Sequence, residues 1–240
     1  MENRIRIFDS PQILAVKLAE EFKEKVQNSK VNFYIAISGG STPKIFFKEL
    51  AKFPFKDEID WERLQIFWCD ERCVPPNDSD SNFRMTKECL FDFVNIPNEN
   101  IHRIKGESHP EKEAVLYSKE IERLLPKGKN NFPQFDWVLL GIGEDGHTAS
   151  LFPHAELLYS CSNIAGVAEH PVSGQKRISL TERVINNSKR ISFIVTGKDK
   201  ANILHEVIDS HDAKIYPASK IKPTDGILDW WIDKEAAFYL

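Results

Sequence analysis

Short clusters of polar residues and glycines follow several apolar runs of this chain, and their residue types suit the binding of a small anion. Ser38–Thr42 is a glycine turn, Asp70–Arg72 ends in an arginine, and Gly143–His147 ends in a histidine. Glycine lets the backbone approach a ligand closely, and N–H groups at a helix start favour an anion such as phosphate. Arginine binds carboxylates and phosphates bidentately, and histidine serves as a general base near neutral pH.

The cluster around His147 has two possible interpretations. Gly141–Gly146 matches the G-x-G-x-x-G pattern of dinucleotide-binding enzymes, which would indicate an NAD-dependent oxidoreductase. Glu144 and Asp145 would, however, place two negative charges where a pyrophosphate should lie, and Pro153 interrupts the following segment. We therefore favour His147 as a base, with Asp145 holding the imidazole and stabilising its protonated form.

Two further cations, Arg177 and Lys200, lie close to the ends of predicted elements. A single residue of this kind is more often an ordinary exposed surface residue, because most Lys and Arg side chains are solvated. Together with Arg72 they could supply the positive charge of an anion-binding site.

The elements that must position these residues are predicted from apolar periodicity. Four apolar runs predict strands, and each precedes a polar cluster: Val31–Ile37, Leu64–Cys69, Asp136–Leu140 and Ile191–Thr196. Helical spacing alternates with them, at Pro11–Gln27, Thr42–Leu50, Pro110–Leu125 and Asp199–Ile208. This alternation predicts a three-layer α/β fold, with a mostly parallel sheet and helices on both faces. Ligands of such Rossmann-like sheets bind beyond the carboxyl ends of the strands, so the clusters should meet there.

Helix starts are predicted from capping residues. Ser10 followed by Pro11 indicates an N-cap and a first-turn proline, and Ser81 is expected to cap another helix. Ser41 or Thr42 is expected to cap the helix that follows the glycine turn.

Composition narrows the class of protein. The 240 residues are 41% hydrophobic and 28% charged, which suits a single domain over residues 1–240. The net charge of −4 argues against a general nucleic-acid binder, although a local basic pocket could still hold an anion. No apolar run approaches the roughly 18 residues of a membrane span.

The expected compartment is the cytoplasm. The first residues, Met1–Arg6, are charged and do not resemble a secretory signal. Cys69, Cys73, Cys89 and Cys161 lack the C-x-x-C spacing of redox and zinc motifs, so we expect reduced thiols, with a metal site as the alternative.

Six motifs in this order and spacing resemble those of the 6-phosphogluconolactonase family, from about residue 10 to residue 233. The motifs are Ala36–Pro43, Trp68–Arg72, Leu140–Pro153, Arg177–Thr181, Gly197–Ala201 and Tyr216–Ser219. The resemblance implies a fold shared with glucosamine-6-phosphate deaminase and related sugar-phosphate isomerases. Tyr216 is a small departure, because an aliphatic residue is frequent before Pro217 in that family.

Two positions separate the lactonases from the deaminases. The deaminases carry a catalytic Glu five residues after the motif histidine, where this chain has Phe152, which cannot transfer a proton. They also have Asp-Glu-Tyr where this chain has Asp70–Arg72. Both differences favour the lactonase.

The resemblance implies hydrolysis of 6-phospho-D-glucono-1,5-lactone to 6-phosphogluconate in the oxidative pentose phosphate pathway, without a metal or organic cofactor. His147 is expected to take a proton from the attacking water, with Asp145 orienting it. Arg72 is expected to hold the substrate and offset charge on the carbonyl oxygen, and Asp70 to position Arg72 or the sugar hydroxyls.

The phosphate is expected on the N–H groups of Gly39, Gly40, Ser41 and Thr42, with Arg177 and Lys200 supplying positive charge. The expected partner is the small sugar-phosphate lactone, with no nucleic acid or membrane, and the chain is expected to be a monomer or weak homo-oligomer. A deaminase, an NAD-dependent oxidoreductase and a non-catalytic sugar-phosphate sensor remain the alternatives.

Overall fold

A computed structural model describes residues 4–153, 157–160, 162–209 and 216–240 of the chain. Within these ranges ten strands form two sheets. The strands are β1 (Arg4–Phe8), β2 (Phe33–Ile37), β3 (Leu64–Trp68), β4 (Asp70–Arg72), β5 (Ile101–His102), β6 (Trp137–Leu140), β7 (Ala165–Glu169), β8 (Lys176–Leu180), β9 (Arg190–Val195) and β10 (Ile227–Asp233).

Helices of very different length connect the strands. The α-helices are α1 (Pro11–Asn28), α2 (Ser41–Leu50), α3 (Phe55–Glu58), α4 (Asn82–Thr86), α5 (Pro110–Leu124), α6 (Leu157–Ser160), α7 (Glu182–Asn186) and α8 (Ala201–Asp209). A π-helical turn (Lys87–Phe91) extends α4, and 3₁₀ turns cover Asn98–Asn100, Lys198–Lys200 and Pro217–Lys220.

The larger sheet has seven strands in the order β1-β10-β9-β6-β2-β3-β5, and every neighbouring pair is parallel. All residues of β3, β6 and β9 are buried. Because successive side chains of a strand point to opposite faces, both faces of the sheet must be covered. The predicted three-layer α/β fold is confirmed.

Strand β4 of the smaller sheet was not predicted. Asp70–Arg72 was expected to be a polar cluster after a strand, but it forms strand β4, antiparallel to β8 in the order β4-β8-β7. Cys69 alone separates β4 from β3, so the chain passes directly from one sheet to the other. Asp and Glu are depleted in strands, so the residue types at these positions did not predict β4.

The predicted helix caps at Ser10 and Ser81 are confirmed. The hydroxyl of Ser10 accepts a hydrogen bond from the N–H of Ile13 (3.3 Å), and that of Ser81 accepts from Arg84 (3.2 Å). Each cap satisfies an N–H group that has no partner inside its helix.

The expected capping of α2 by Ser41 or Thr42 is wrong. The N-cap is Gly40, whose φ of 114° lies in the region that favours glycine, and α2 begins at Ser41 itself. The hydroxyl of Thr42 instead pairs with that of Thr196 after β9 (2.8 Å). Gly40 therefore lets the chain enter the helix one residue earlier than the sequence suggested.

The cytoplasmic compartment was predicted partly from Met1–Asn3 and Cys161, which lie outside the described residues. The other cysteines, Cys69, Cys73 and Cys89, are free thiols. Over the described ranges, no helix is both long and apolar enough to cross a bilayer.

Candidate active site

A cavity of about 210 Å³ lies at the carboxyl edge of the parallel sheet, where β2, β3, β6 and β9 end. Every predicted site residue lines it except Asp145: the lining includes Gly39, Gly40, Ser41, Thr42, Asp70, Arg72, His147, Arg177 and Lys200. Residues that are far apart in the sequence therefore share one space that fits a small ligand.

The glycine turn forms one wall of this cavity. A Cβ atom on Gly39 would lie 1.8 Å from Oδ1 of Asn82, so only glycine fits against this buried amide. Ser38 anchors the turn, because its hydroxyl donates to the carbonyl of Leu139 in β6 (2.9 Å). The N-terminus of α2 consequently faces the cavity, and its N–H groups and helix dipole favour an anion.

Two arginines face each other across β4 and β8, since Arg72 and Arg177 are direct partners in the register of the small sheet. Nη1 of Arg72 donates to the carbonyl oxygen of Asp80. The Nε atoms of both arginines are buried and have no hydrogen-bond partner among the described residues. Burial, aided by the nearby charge of Arg72, lowers the pKa of Arg177, while Asp70 opposes the shift. The pair is thus a concentrated, partly desolvated positive charge.

The carboxylate of Asp70 is directed at Arg177 and not, as one expectation had it, at Arg72. Its Oδ2 lies 3.9 Å from Nη1 of Arg177 and accepts a hydrogen bond from Ser150 (2.7 Å). The amide of Asn82 also reaches Asp70, through its carbonyl oxygen (2.9 Å). In the antiparallel register Asp70 lies opposite Ser179, so Arg177 is its diagonal neighbour on the adjacent strand.

His147 is held by the loop that precedes it. Its Nδ1 pairs with the carboxylate of Asp145, which also accepts the backbone N–H of His147 (3.2 Å). The hydrogen bond from His147 is the main cause that lowers the pKa of Asp145 to about 2. Because the carboxylate accepts from Nδ1–H, the lone pair of the neutral ring lies on Nε2.

Gly143 is what allows this arrangement. A Cβ atom at this position would lie 2.2 Å from Nδ1 of His147 and 2.7 Å from Oδ1 of Asp145. The N–H of Gly143 donates to the carbonyl of His147 (2.8 Å) and so closes the loop. Gly143, one of the glycines that match the dinucleotide pattern, therefore serves to fold a tight loop around an imidazole.

Lys200 reaches the cavity from the 3₁₀ turn after β9. Gly197 (φ 97°) starts this turn, and its N–H donates to the carboxylate of Asp233 at the end of β10 (3.0 Å). The ammonium group of Lys200 lies 3.8 Å from Asp199 and its side chain is largely buried. Lys200 therefore adds a third cation close to the start of α2.

Sequence reasoning missed Glu71, which lies between two predicted site residues. Its side chain is 2% exposed and accepts hydrogen bonds from the N–H groups of Arg72, Asn82 and Phe83, each at 2.8 Å, and from the hydroxyl of Ser81 (3.1 Å). Burial raises the pKa of Glu71, and the backbone hydrogen bonds oppose the shift. This carboxylate ties β4 to the start of α4.

The described ranges contain no group of three or more His, Cys, Asp and Glu residues arranged to hold a metal ion. What the cavity offers is an imidazole backed by a carboxylate, a helix N-terminus and three cations. These groups suit general-base attack on a substrate that carries an anionic group.

Comparison with known proteins gives the family. Residues 9–230 match the model of the glucosamine-6-phosphate isomerases/6-phosphogluconolactonase family. A 6-phosphogluconolactonase from Haemophilus influenzae is 45% identical over 232 residues, which is 95% of this chain and 96% of that protein. One from Treponema pallidum is 42% identical and covers 87% of this chain and 86% of its own. The chain therefore belongs to this family.

Solved structures agree with this assignment. The devB protein superposes with a TM-score of 0.94 at 40% identity, over 100% of both chains. The 6-phosphogluconolactonase from Trypanosoma brucei superposes with a TM-score of 0.88 at 26% identity, over 100% of this chain and 99% of that one. A monomeric glucosamine-6-phosphate deaminase has a TM-score of 0.82 at 18% identity and shares the fold.

Proposed function

We propose that this chain hydrolyses 6-phospho-D-glucono-1,5-lactone to 6-phosphogluconate, in the oxidative pentose phosphate pathway. The observation that carries the proposal is that His147, backed by Asp145, shares one cavity with the N-terminus of α2 and with Arg72, Arg177 and Lys200. The identity of the substrate rests on the relatives, which are 6-phosphogluconolactonases.

In the proposed reaction Nε2 of His147 takes a proton from a water molecule as the water oxygen bonds to the lactone carbonyl carbon. The tetrahedral intermediate then collapses, the ring C–O bond breaks, and the imidazolium returns the proton to the departing hydroxyl oxygen. Asp145 keeps the ring in the Nδ1–H form and stabilises the imidazolium.

Arg72 is assigned to the carbonyl oxygen, on which negative charge grows as the water attacks. A preorganised cation in a partly desolvated site stabilises such charge more than bulk water does. Asp70, being paired with Arg177, is assigned to orienting that arginine and to accepting hydrogen bonds from sugar hydroxyls.

The phosphate is assigned to the turn Gly39–Thr42 at the start of α2, with Arg177 and Lys200 completing its coordination. Backbone N–H groups and the helix dipole bind the phosphate, while the two side chains neutralise its charge. This anchors one end of the substrate while the lactone ring extends towards His147.

The test is turnover of freshly made lactone, measured in a coupled assay against its spontaneous opening. We expect His147→Ala to lose roughly 10²–10⁴-fold in kcat, the usual contribution of a general base. His109→Ala is the matched control, because this exposed histidine lies outside the cavity lining. Near-normal turnover by His147→Ala would reject His147 as the base.

The same preparation distinguishes the alternatives. We expect no deamination of glucosamine 6-phosphate, whereas ammonia release would favour a deaminase. Binding of 6-phosphogluconate without acceleration of lactone opening would favour a sugar-phosphate sensor.

We further propose that residues 1–240 form one lactonase domain that acts in the cytoplasm on a small molecule, without nucleic-acid or membrane partners. The 222 residues from 9 to 230 that match a single family model support one domain. The proposed monomer or weak homo-oligomer is measurable by light scattering of the purified chain.

A further inference from the structure

Phe152 is a buried aromatic residue that contacts two side chains of the proposed site. Its side chain is 1% exposed. The ring centroid lies 4.8 Å from that of His147, and Cζ of Arg177 lies 5.7 Å from it. The ring of His170 packs against it edge-on at 5.3 Å. One phenyl ring thus touches both the proposed base and a proposed phosphate ligand.

The orientation of the His147 ring is restricted from several directions. Asp145 pairs with Nδ1, and Gly143 leaves no space for a Cβ atom beside the ring. Phe152 supplies an apolar contact to the ring. An imidazole that is held in this way presents Nε2 in one direction only.

Phe152 is itself fixed by the loop to which His147 belongs. The N–H of Leu151 donates to the carbonyl of Thr148 (2.9 Å), and the hydroxyl of Thr148 donates to the carbonyl of Gly141 (2.8 Å). The hydroxyl of Tyr159 donates to the carbonyl of Phe152 (2.9 Å). The ring therefore has a rigid backbone support, which a positioning role requires.

We propose that Phe152 is a positioning residue, whose ring fixes the orientation of the His147 imidazole and its separation from the Arg177 guanidinium. This proposal rests on the function proposed above, in which His147 is the base. Contact alone does not make Phe152 catalytic, because it acts through these two side chains. A displacement of the base by about 1 Å can cost on the order of 10²-fold in rate.

The first experiment compares two buried phenylalanines. We expect Phe152→Leu to lower kcat by about 10²-fold, with a smaller rise in KM, because ground-state binding by α2 and Lys200 is retained. Phe135→Leu is the matched control: this ring is equally buried but precedes β6, at the opposite edge of the sheet from the cavity. The control should lose stability without losing kcat. A kcat for Phe152→Leu within about twofold of the wild type would overturn the proposal.

A second measurement does not depend on turnover. Because the hydrogen bond from His147 holds the pKa of Asp145 at about 2, a loosened imidazole should let this pKa return towards its ordinary 3.8. NMR titration of the Asp145 carboxyl carbon in Phe152→Leu measures this change. An unchanged titration would overturn the proposal. If the titration shifts but His147→Ala stays active, Phe152 does position the ring, and the proposed role of His147 as the base is rejected.

Should Phe152→Leu not fold, Gly143→Ala tests the same restriction from another side. Its φ is not in the left-handed region, so the backbone accepts alanine, whereas the new methyl group would lie 2.3 Å from Cε1 of His147. We expect a comparable loss of kcat and the same shift of the Asp145 titration. A variant with unchanged kcat would show that the orientation of the ring does not matter.

Discussion

Asp145 and His147 lie two residues apart in one tight loop and pair through their side chains. The carboxylate is not part of the cavity wall; it lies behind the imidazole and accepts its Nδ1–H. The imidazole therefore lines the cavity, whereas the carboxylate does not. In the proposed reaction this suits a group that stabilises the imidazolium without repelling a phosphosugar.

The strength of this pair should be visible in the pH dependence of stability. We expect Asp145→Asn to lower the free energy of unfolding at pH 7. The pKa of Asp145, about 2 in the fold, lies below its ordinary 3.8, so the ionised carboxylate stabilises the fold above pH 3.8. This contribution disappears as the pH falls through about 2. Denaturant titrations of both proteins from pH 7 downwards measure the difference, and one that stayed constant down to pH 2 would contradict the expectation.

The position of a candidate site residue could be predicted where it follows an apolar run. It could not be predicted where pairing between distant strands determines whether the residue is buried. Arg72 and His147 follow strand ends, so the rule for open α/β sheets brought them to one edge. Glu71, with the same charge as its neighbour Asp70, gave no sign of being buried. Its burial depends on β4, which forms only because β8 is available for pairing.

At the scale of elements, β4 and the start of α4 are joined through one carboxylate. Oε1 of Glu71 accepts from Arg72 and Asn82, and Oε2 accepts from Ser81 and Phe83. Since Arg72 and Asn82 both line the cavity, this junction sets their position.

We expect Glu71→Gln to destabilise the protein strongly. The amide nitrogen that replaces one oxygen cannot accept, so two buried donors lose their partner, at a cost of about 1–3 kcal/mol each. Chemical denaturation measures the loss, with the exposed Glu62→Gln as the control for removing a charge. A loss no larger than that of the control would show that this junction contributes little.

The prediction of the elements succeeded or failed for definable reasons. Apolar runs gave β2, β3, β6 and β9 to within about two residues, because buried parallel strands are continuously apolar. The start of α2 was misplaced because hydroxyl side chains are the usual caps, whereas here the positive φ of Gly40 decides where the helix begins. Backbone dihedrals of this kind are not visible in residue types alone.

At the scale of the whole molecule, the loops that line the cavity lie at the carboxyl edge of the parallel sheet. Contacts at the opposite edge contribute to stability. The buried pair of Arg190 and Asp229, for example, joins β9 to β10 (Nε to Oδ2, 3.1 Å), and Arg190 also stacks on Trp137 of β6. This connection lies at the strand starts, away from the proposed chemistry. Changes there should affect folding before they affect turnover.

Binding of the product should stabilise the entire fold. If residues 1–240 form one domain, thermal unfolding should show one transition, and 6-phosphogluconate at 100 times its Kd should add about 2.7 kcal/mol. Gluconate at the same concentration, without the phosphate, should raise Tm much less. Differential scanning calorimetry measures both. Equal stabilisation by the two compounds would contradict the assignment of the phosphate to α2, Arg177 and Lys200.

The register that sets Arg72 opposite Arg177 has a consequence for selectivity. Like charges directly opposite on antiparallel strands repel, and the lowered pKa of Arg177 reflects both its burial and this neighbour. If the proposed substrate binds here, its anionic group relieves that repulsion, whereas a neutral sugar of the same shape leaves it in place. In the proposed function, we therefore expect this arginine pair to disfavour uncharged carbohydrates whatever their shape.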